Sequence, residues 1–416
     1  MPKKEKLWKK AKKFIPSGNN FLSKNPTRFK SKNWPIYFTK SKGCDVWDLN
    51  NKKYTDFTYM GVGTNILGYS NDKIDREVMK VIKKGNLTSL NCPEEVELAE
   101  QLVKMHKWSD SVKFARTGAE ANAIAVRLSR AFNKKNKIIV CGYHGWHDWY
   151  LSAKLSKKNF MDTHLFPNLK VEGVPSSLKG NTYSVKYNDF NSIKKIIKKD
   201  KDISSIIMEV ERDQKPKFGY LNLIRKICNK NNICLIFDEC TSGFRETYGG
   251  LHLKYKIYPD IAMFGKAIGN GYALTAVVGK KKIMNKSSNT FISSTFWSER
   301  IGYVAGLATL KEMKRIKSWE KIKTKGKYLK ERLSKIALKH KLSIKFSGLD
   351  ALIKFEILSL GSFDYNKFIT EQMLKKNYLA TQNIYVSIAH TKDKIEKYLN
   401  LIDSVFEKIA KKNRIK

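Results

Sequence analysis

Apolar residues follow two rhythms along this chain, and each rhythm predicts a different element. Between about residues 66 and 315, short unbroken apolar runs recur: SVKFAR, KIIVCGY, SSIIMEV, ICLIFDE, DIAMFG and ALTAVVG. Runs of this length, bounded by Gly, Asp or Lys, read as strands covered on both faces. Elsewhere the apolar positions return at helical spacing, as in Ala119 to Phe132, where Ala121, Ile124, Ala125, Leu128 and Phe132 share one face. Strand and helix in alternation predict an α/β domain with a mostly parallel sheet, its ligand at the C-terminal ends of the strands.

The two ends of the chain are patterned differently. Residues 1–65 read as a helix followed by strand-like IYFTKS and GCDVWDL, and residues 316–416 as two amphipathic helices around strand-like IKFSGLDALIKFEI. Together they predict a small α+β domain built from both termini, with 66–315 as the large domain. There are no internal repeats and no long low-complexity linker.

Composition adds a constraint and a distraction. A chain of 416 residues, 42% hydrophobic, has ample length for a large core. The formal charge of +43 suggests a nucleic-acid binder. Yet Lys outnumbers Arg and is spread from KKEKLWKKAKK to KIAKKNRIK, whereas Arg is the residue that reads bases and phosphates bidentately. A diffuse lysine excess predicts at most non-specific polyanion binding at low salt. A basic polyanion-binding protein is the non-enzymatic reading. Six cysteines, Cys44, Cys92, Cys141, Cys228, Cys234 and Cys240, form no CxxC pair and read as buried thiols of a reducing compartment. With no signal-type apolar region near the N-terminus and no window of roughly 20 apolar residues, the expectation is a cytoplasmic protein without membrane partners.

The chemistry centres on Lys266, in DIAMFGKAIGNGY, directly after one predicted strand, and on Asp238, which ends the strand ICLIFD. An amine attacks a carbonyl only when neutral, so a catalytic lysine needs partly apolar surroundings, which Phe264, Ala267 and Ile268 supply. A carboxylate from a neighbouring strand can keep a pyridine nitrogen protonated. Lysine and carboxylate so placed are what pyridoxal 5'-phosphate (PLP) requires. A third element suits its phosphate: SVKFAR passes through Thr117 and Gly118 into a helix N-terminus, where N–H groups face an anion. Past the strand KIIVC, Tyr143 is placed to stack on a cofactor ring, while Trp146 and Trp149 read as closing the core. His144 and His147 have no accompanying ligand cluster, so no metal is expected.

In order, TGAEANA, GYHGWHDWY, IIMEVE, LIFDECTSGFR, FGKAIGNGY and STFWSER resemble the class III PLP aminotransferases of fold type I, in the branch around glutamate-1-semialdehyde 2,1-aminomutase. The resemblance covers nearly the whole chain. It implies a seven-stranded-type sheet, Lys266 as the Schiff-base lysine and Asp238 as partner of the pyridine nitrogen. It also implies Gly118 and Ala119 as phosphate donors, Tyr143 on one ring face and Cys240 on the other, and Glu209 in the strand beside Asp238. Thr295 matches a threonine that reaches the phosphate of the neighbouring subunit, which implies a homodimer with shared active sites. Arg28 corresponds to an arginine that binds a substrate carboxylate. The stretches TGAEA, VERDQKPKFGY and FWSER depart from the aminomutase pattern and resemble transaminases of surface-polysaccharide or other specialised pathways. An aminotransferase is therefore expected, with the aminomutase as alternative.

Overall fold

The computed structural model describes residues 3–164, 170–211, 213–358 and 363–414. Arg212, within the charged stretch after Glu209, and the last two residues of the basic C-terminal run lie outside the described residues. Two compact units emerge: Met1–Asp75 with Lys317–Lys416, and Arg76–Ile316.

The second unit carries a seven-stranded sheet. Its strands are β1 (Ser111–Ala115), β2 (Lys137–Cys141), β3 (Thr182–Ser184), β4 (Ile203–Met208), β5 (Cys234–Asp238), β6 (Ile261–Phe264) and β7 (Thr275–Gly279), in the order β1-β7-β6-β5-β4-β2-β3. β3, β2, β4, β5 and β6 pair in parallel. β7 runs antiparallel to both β1 and β6. Only residues 265–274 separate β6 from β7, too few for the crossover of about a dozen residues that a parallel neighbour needs. Strands β4 to β7 are buried along their whole length, which explains their largely apolar sequences; Ser204, Ser205 and Thr275 are buried among them. The edge strand β3 is three residues of Thr, Tyr and Ser and has no apolar run to announce it.

The helix Gly118–Asn133 lies on this sheet. Ala121, Ile124, Ala125 and Leu128 are buried and Phe132 packs at the margin, against Ile207, Ile236, Met263 and Val277 of the strands. Ile124 and Leu128 each contribute about 1.5–3 kcal/mol by this burial, the two alanines less. Trp149 also packs on this cluster.

In the first unit, strands Phe38–Lys42, Asp45–Asp48 and Lys53–Phe57 form an antiparallel sheet, which Tyr378–Ala380 joins in parallel from the far end of the chain. A three-stranded antiparallel sheet contains Ser343–Ser347, Leu352–Leu358 and Asn383–Tyr385. Phe57 stacks on Tyr398 at a centroid distance of 4.3 Å, tying the first segment to the C-terminal helix. All six cysteines are free; five are buried, and Cys92 is half-buried, since it caps the helix Pro93–Met105 at the surface. No helix among the described residues is long and apolar enough to cross a membrane.

Candidate active site

The C-terminal ends of β1, β2, β4, β5 and β6 each deliver a residue singled out in the sequence. Asp238 ends β5 and is buried. Its Oδ2 accepts from Asn122 Nδ2 at 2.8 Å and from His144 Nδ1 at 2.9 Å, and its Oδ1 accepts from the Cys240 N–H at 3.0 Å. Burial alone would push the carboxyl pKa up, but the His144 and Asn122 bonds and the Cys240 N–H outweigh it and hold the group below its ordinary value. Asp238 is therefore an enclosed carboxylate that stays ionised.

Lys266 follows β6 and Gly265. Its backbone is left-handed, at φ 47°, which costs a residue with a Cβ about 1–2 kcal/mol. Its Nζ donates to Thr241 Oγ1 at 2.6 Å. Thr241 lies three residues past Asp238, so one turn carries both the carboxylate and the lysine's hydroxyl partner.

Cys240 fills the space between two glycines. A Cβ added to Gly118 would lie 3.4 Å from its sulfur, and one added to Gly265 3.2 Å. The β5 turn thus meets the start of the Gly118 helix and the approach to Lys266 through the Cys240 side chain. Burial, and next the Asp238 charge, raise the Cys240 thiol pKa, so the sulfur packs as a neutral group.

The Gly118 helix begins with a capping box. Thr117 Oγ1 accepts from the Glu120 N–H at 3.3 Å, and Glu120 Oε2 accepts from the Thr117 N–H at 2.7 Å. The first N–H groups of a helix have no partner within it, and those of Gly118 and Ala119 begin this one beside Cys240.

Tyr143 is 39% exposed past β2, and its N–H donates to Glu209 Oε2 at 3.2 Å. Gly142 lets that carboxylate in: at φ 121°, a Cβ there would be 2.7 Å from Glu209 Oε2. Trp146 differs from expectation. It is 70% exposed and set edge-on to His147, so it does not close the core as Trp149 does. The reason is Gly145, at φ 103°, which presses on Ala119 and turns the next side chain outward.

Thr295 begins a short exposed turn, Thr295–Ser298. Arg116 holds this turn: its Nε donates to the Phe296 carbonyl at 2.7 Å, its Nη2 to the Trp297 carbonyl at 3.1 Å, and it pairs with Glu299 at 3.2 Å. Trp297 Nε1 donates to Glu120 Oε1 at 3.2 Å. The Thr295 turn is therefore laced to the cap of the Gly118 helix. Arg28 belongs to the other unit, exposed on the turn Pro26–Phe29 near Tyr59. Asn122, Thr241, Arg116 and the bond of His144 to Asp238 were not read from the sequence. One signal was available: Asn122 is a polar residue buried in an otherwise apolar stretch of helix.

Comparison with known proteins fits this geometry. The family model for class III aminotransferases matches residues 28–381. The chain belongs to the class III aminotransferase family and is a PLP-dependent enzyme. It is 33% identical over 351 residues to 3-aminobutyryl-CoA aminotransferase of Cloacimonas acidaminovorans, covering 82% of this chain and 80% of that protein. To glutamate-1-semialdehyde 2,1-aminomutase of Methanocaldococcus jannaschii it is 30% identical, covering 98% of each. Among solved structures, a PLP form of the FumI protein of Sphingopyxis sp. MTA144 shares the fold, with a TM-score of 0.88 at 23% identity over 98% of this chain and 96% of that one. The mostly parallel sheet and the PLP expectation are thereby borne out.

Proposed function

We propose that this chain transfers an amino group from an external amino donor to an aldehyde or keto acceptor, as a cytoplasmic homodimer with shared active sites. The carrying observation is the joining of Lys266, Cys240 and the ionised Asp238 at the start of the Gly118 helix. These residues fit PLP: the Gly118 and Ala119 N–H groups suit its phosphate, Asp238 its ring nitrogen, Tyr143 and Cys240 its ring faces, and Lys266 its carbonyl carbon. When bound, PLP supplies an electrophilic carbon and a ring that draws in the electrons of the broken Cα–H bond.

The protein's part is positioning and proton transfer. Lys266 Nζ would hold the cofactor's carbonyl carbon in the resting enzyme and, once replaced there by the donor amine, would serve as the base that takes the proton from the substrate Cα. Asp238, kept ionised, holds the proton on the ring nitrogen. Thr295 reaches the phosphate site of the second subunit, and Arg28 takes a substrate carboxylate.

The external donor is favoured by the altered wall after Thr295, where Phe296 stands 67% exposed and Trp297 is fixed on Glu120. A second reading, the aminomutase, is favoured by the relative that matches along 98% of both chains. Wild-type protein should be yellow with PLP, and Lys266→Ala should lose both the colour and turnover. The two readings separate when glutamate 1-semialdehyde is offered alone, and glutamate is offered with short-chain and sugar-like carbonyl acceptors. Donor-dependent turnover is expected. Rapid formation of 5-aminolevulinate without donor-dependent turnover would establish the mutase instead.

A further inference from the structure

A cavity of about 210 Å³ is lined by Arg130, Asn136, Trp149, Ser152, Leu178 and Asn181. Asn136 immediately precedes β2 and Asn181 immediately precedes β3. These are the N-terminal ends of parallel strands, so this wall lies at the end of the sheet opposite Asp238. Arg130 shares the helix that starts at Gly118, and at the usual rise the two residues stand roughly 18 Å apart.

The wall is firmly built. Thr182 Oγ1 and Ser152 Oγ both donate to the Trp149 carbonyl, at 2.5 and 3.0 Å, which ties Trp149 to the start of β3. Arg130 Nε donates to the Asn136 carbonyl at 2.7 Å and so fixes the guanidinium. Several donors are left over. The Trp149 Nε1–H is buried with no hydrogen-bond partner among the described residues, and the terminal nitrogens of Arg130 meet no acceptor there either. The Asn181 backbone is used, its N–H on the Leu178 carbonyl at 3.1 Å and its carbonyl by the Ile138 N–H at 3.0 Å, whereas its carboxamide makes no hydrogen bond among the described residues. A buried N–H without an acceptor costs about 1–3 kcal/mol, so these groups favour a ligand that accepts.

Charge narrows the class. Arg130 is the one cation among the lining residues. Asp202 lies near enough to attract it but bonds elsewhere: its Oδ1 accepts from the Asn136 N–H at 2.9 Å, and both its oxygens lie 3.3 Å from Asn136 Nδ2. That carboxylate and the negative end of the helix dipole oppose a second negative charge on the ligand. A single carboxylate suits the site, because it is planar, pairs with the guanidinium fork, and keeps lone pairs for the indole N–H. Leu178 and the Trp149 ring offer apolar surface to the rest of the molecule. We propose that this cavity is a binding site for a small monocarboxylate with an apolar body, separate from the residues assigned to PLP.

The test titrates benzoate into wild-type holoenzyme labelled with 15N-tryptophan, following the indole resonance of Trp149, which its loss in Trp149→Phe assigns. A saturable shift with a Kd of about 1 mM or tighter is expected, and inorganic phosphate should give none. Arg130→Gln should weaken benzoate binding about 10-fold or more. Asn181→Leu, whose lost carboxamide holds nothing in the fold, should weaken it about 3- to 10-fold with an unchanged melting temperature. No saturable shift in wild type overturns the proposal, and so does a shift that persists in full in Arg130→Gln, because benzoate then sits elsewhere. An equal response to phosphate overturns the monocarboxylate assignment. Should Arg130→Gln not fold, Asn181→Leu decides: a Kd equal to that of wild type overturns the site, and a weaker one supports it.

Discussion

Asp238 and Glu239 are consecutive, both buried, and both face a histidine, yet the two pairs are built differently. Glu239 is saturated. It accepts from His252 Nδ1 at 2.6 Å, the Leu251 N–H at 2.6 Å, the His252 N–H at 2.9 Å and Ser242 Oγ at 2.8 Å. The far side of His252 is closed too, because Trp108 Nε1 donates to its Nε2 at 2.9 Å. Asp238 has three donors, and the far nitrogen of its histidine meets none among the described residues. Burial raises both carboxyl pKa values and the histidine contacts more than reverse it, so both are ionised. A closed network of this kind fastens the turn after β5. The open one leaves capacity for a ligand.

That contrast can be broken from either side. Asp238→Asn should lower amino transfer on the order of 10²–10³-fold, and because both Asp238 oxygens accept from donors it should also cost about 1–3 kcal/mol of stability. Substantial turnover in this variant would place the chemistry elsewhere. Glu239→Gln should show the second effect without the first. It too puts an amide N–H among groups that already donate, at about 1–3 kcal/mol of stability, so a lower melting midpoint with kcat largely kept is expected in calorimetry and steady-state assays.

Acid should reveal the same side. His106, whose ring lies 5.7 Å from that of His252, has its pKa lowered to about 4 by burial and then by His252. A group with a depressed folded pKa gives stability that is complete above its unfolded value, about 6.5. That stability is lost as the pH falls toward about 4. The two carboxylates add a loss at still lower pH, because their folded values also lie below the ordinary ones. Melting temperatures recorded from pH 7 to 4 should therefore start to fall below about 6.5, and a flat profile down to pH 5 would contradict the burial assigned to His106. The smallest effect belongs to Trp108→Phe. Losing one neutral donor to His252 should cost about 1 kcal/mol and leave the ring-nitrogen resonance of bound PLP unchanged.

Much of this was legible because buried parallel strands write themselves as apolar runs. ICLIFD and DIAMFG located both strand ends, and with them Asp238 and Lys266. The edge strand Thr182–Ser184 was not legible, since a polar three-residue strand differs little from a loop. The direction of β7 was not legible either, because apolar content is blind to polarity and only the short link from β6 sets it. The pairing of Asn122 and His144 with Asp238 depends on two elements meeting, which no local pattern encodes. Trp146 was misread for a related reason: aromaticity suggested a core position, and a left-handed glycine beside it decided otherwise.

The left-handed backbone at Lys266 is shared by Lys30, Lys134, Lys256, Lys317 and Lys341, so lysine in that conformation carries no signal by itself. Glycine and asparagine occupy it most readily, so Lys266→Gly should relieve local strain while it removes the amine, which makes position 266 a place where folding and chemistry can be varied separately.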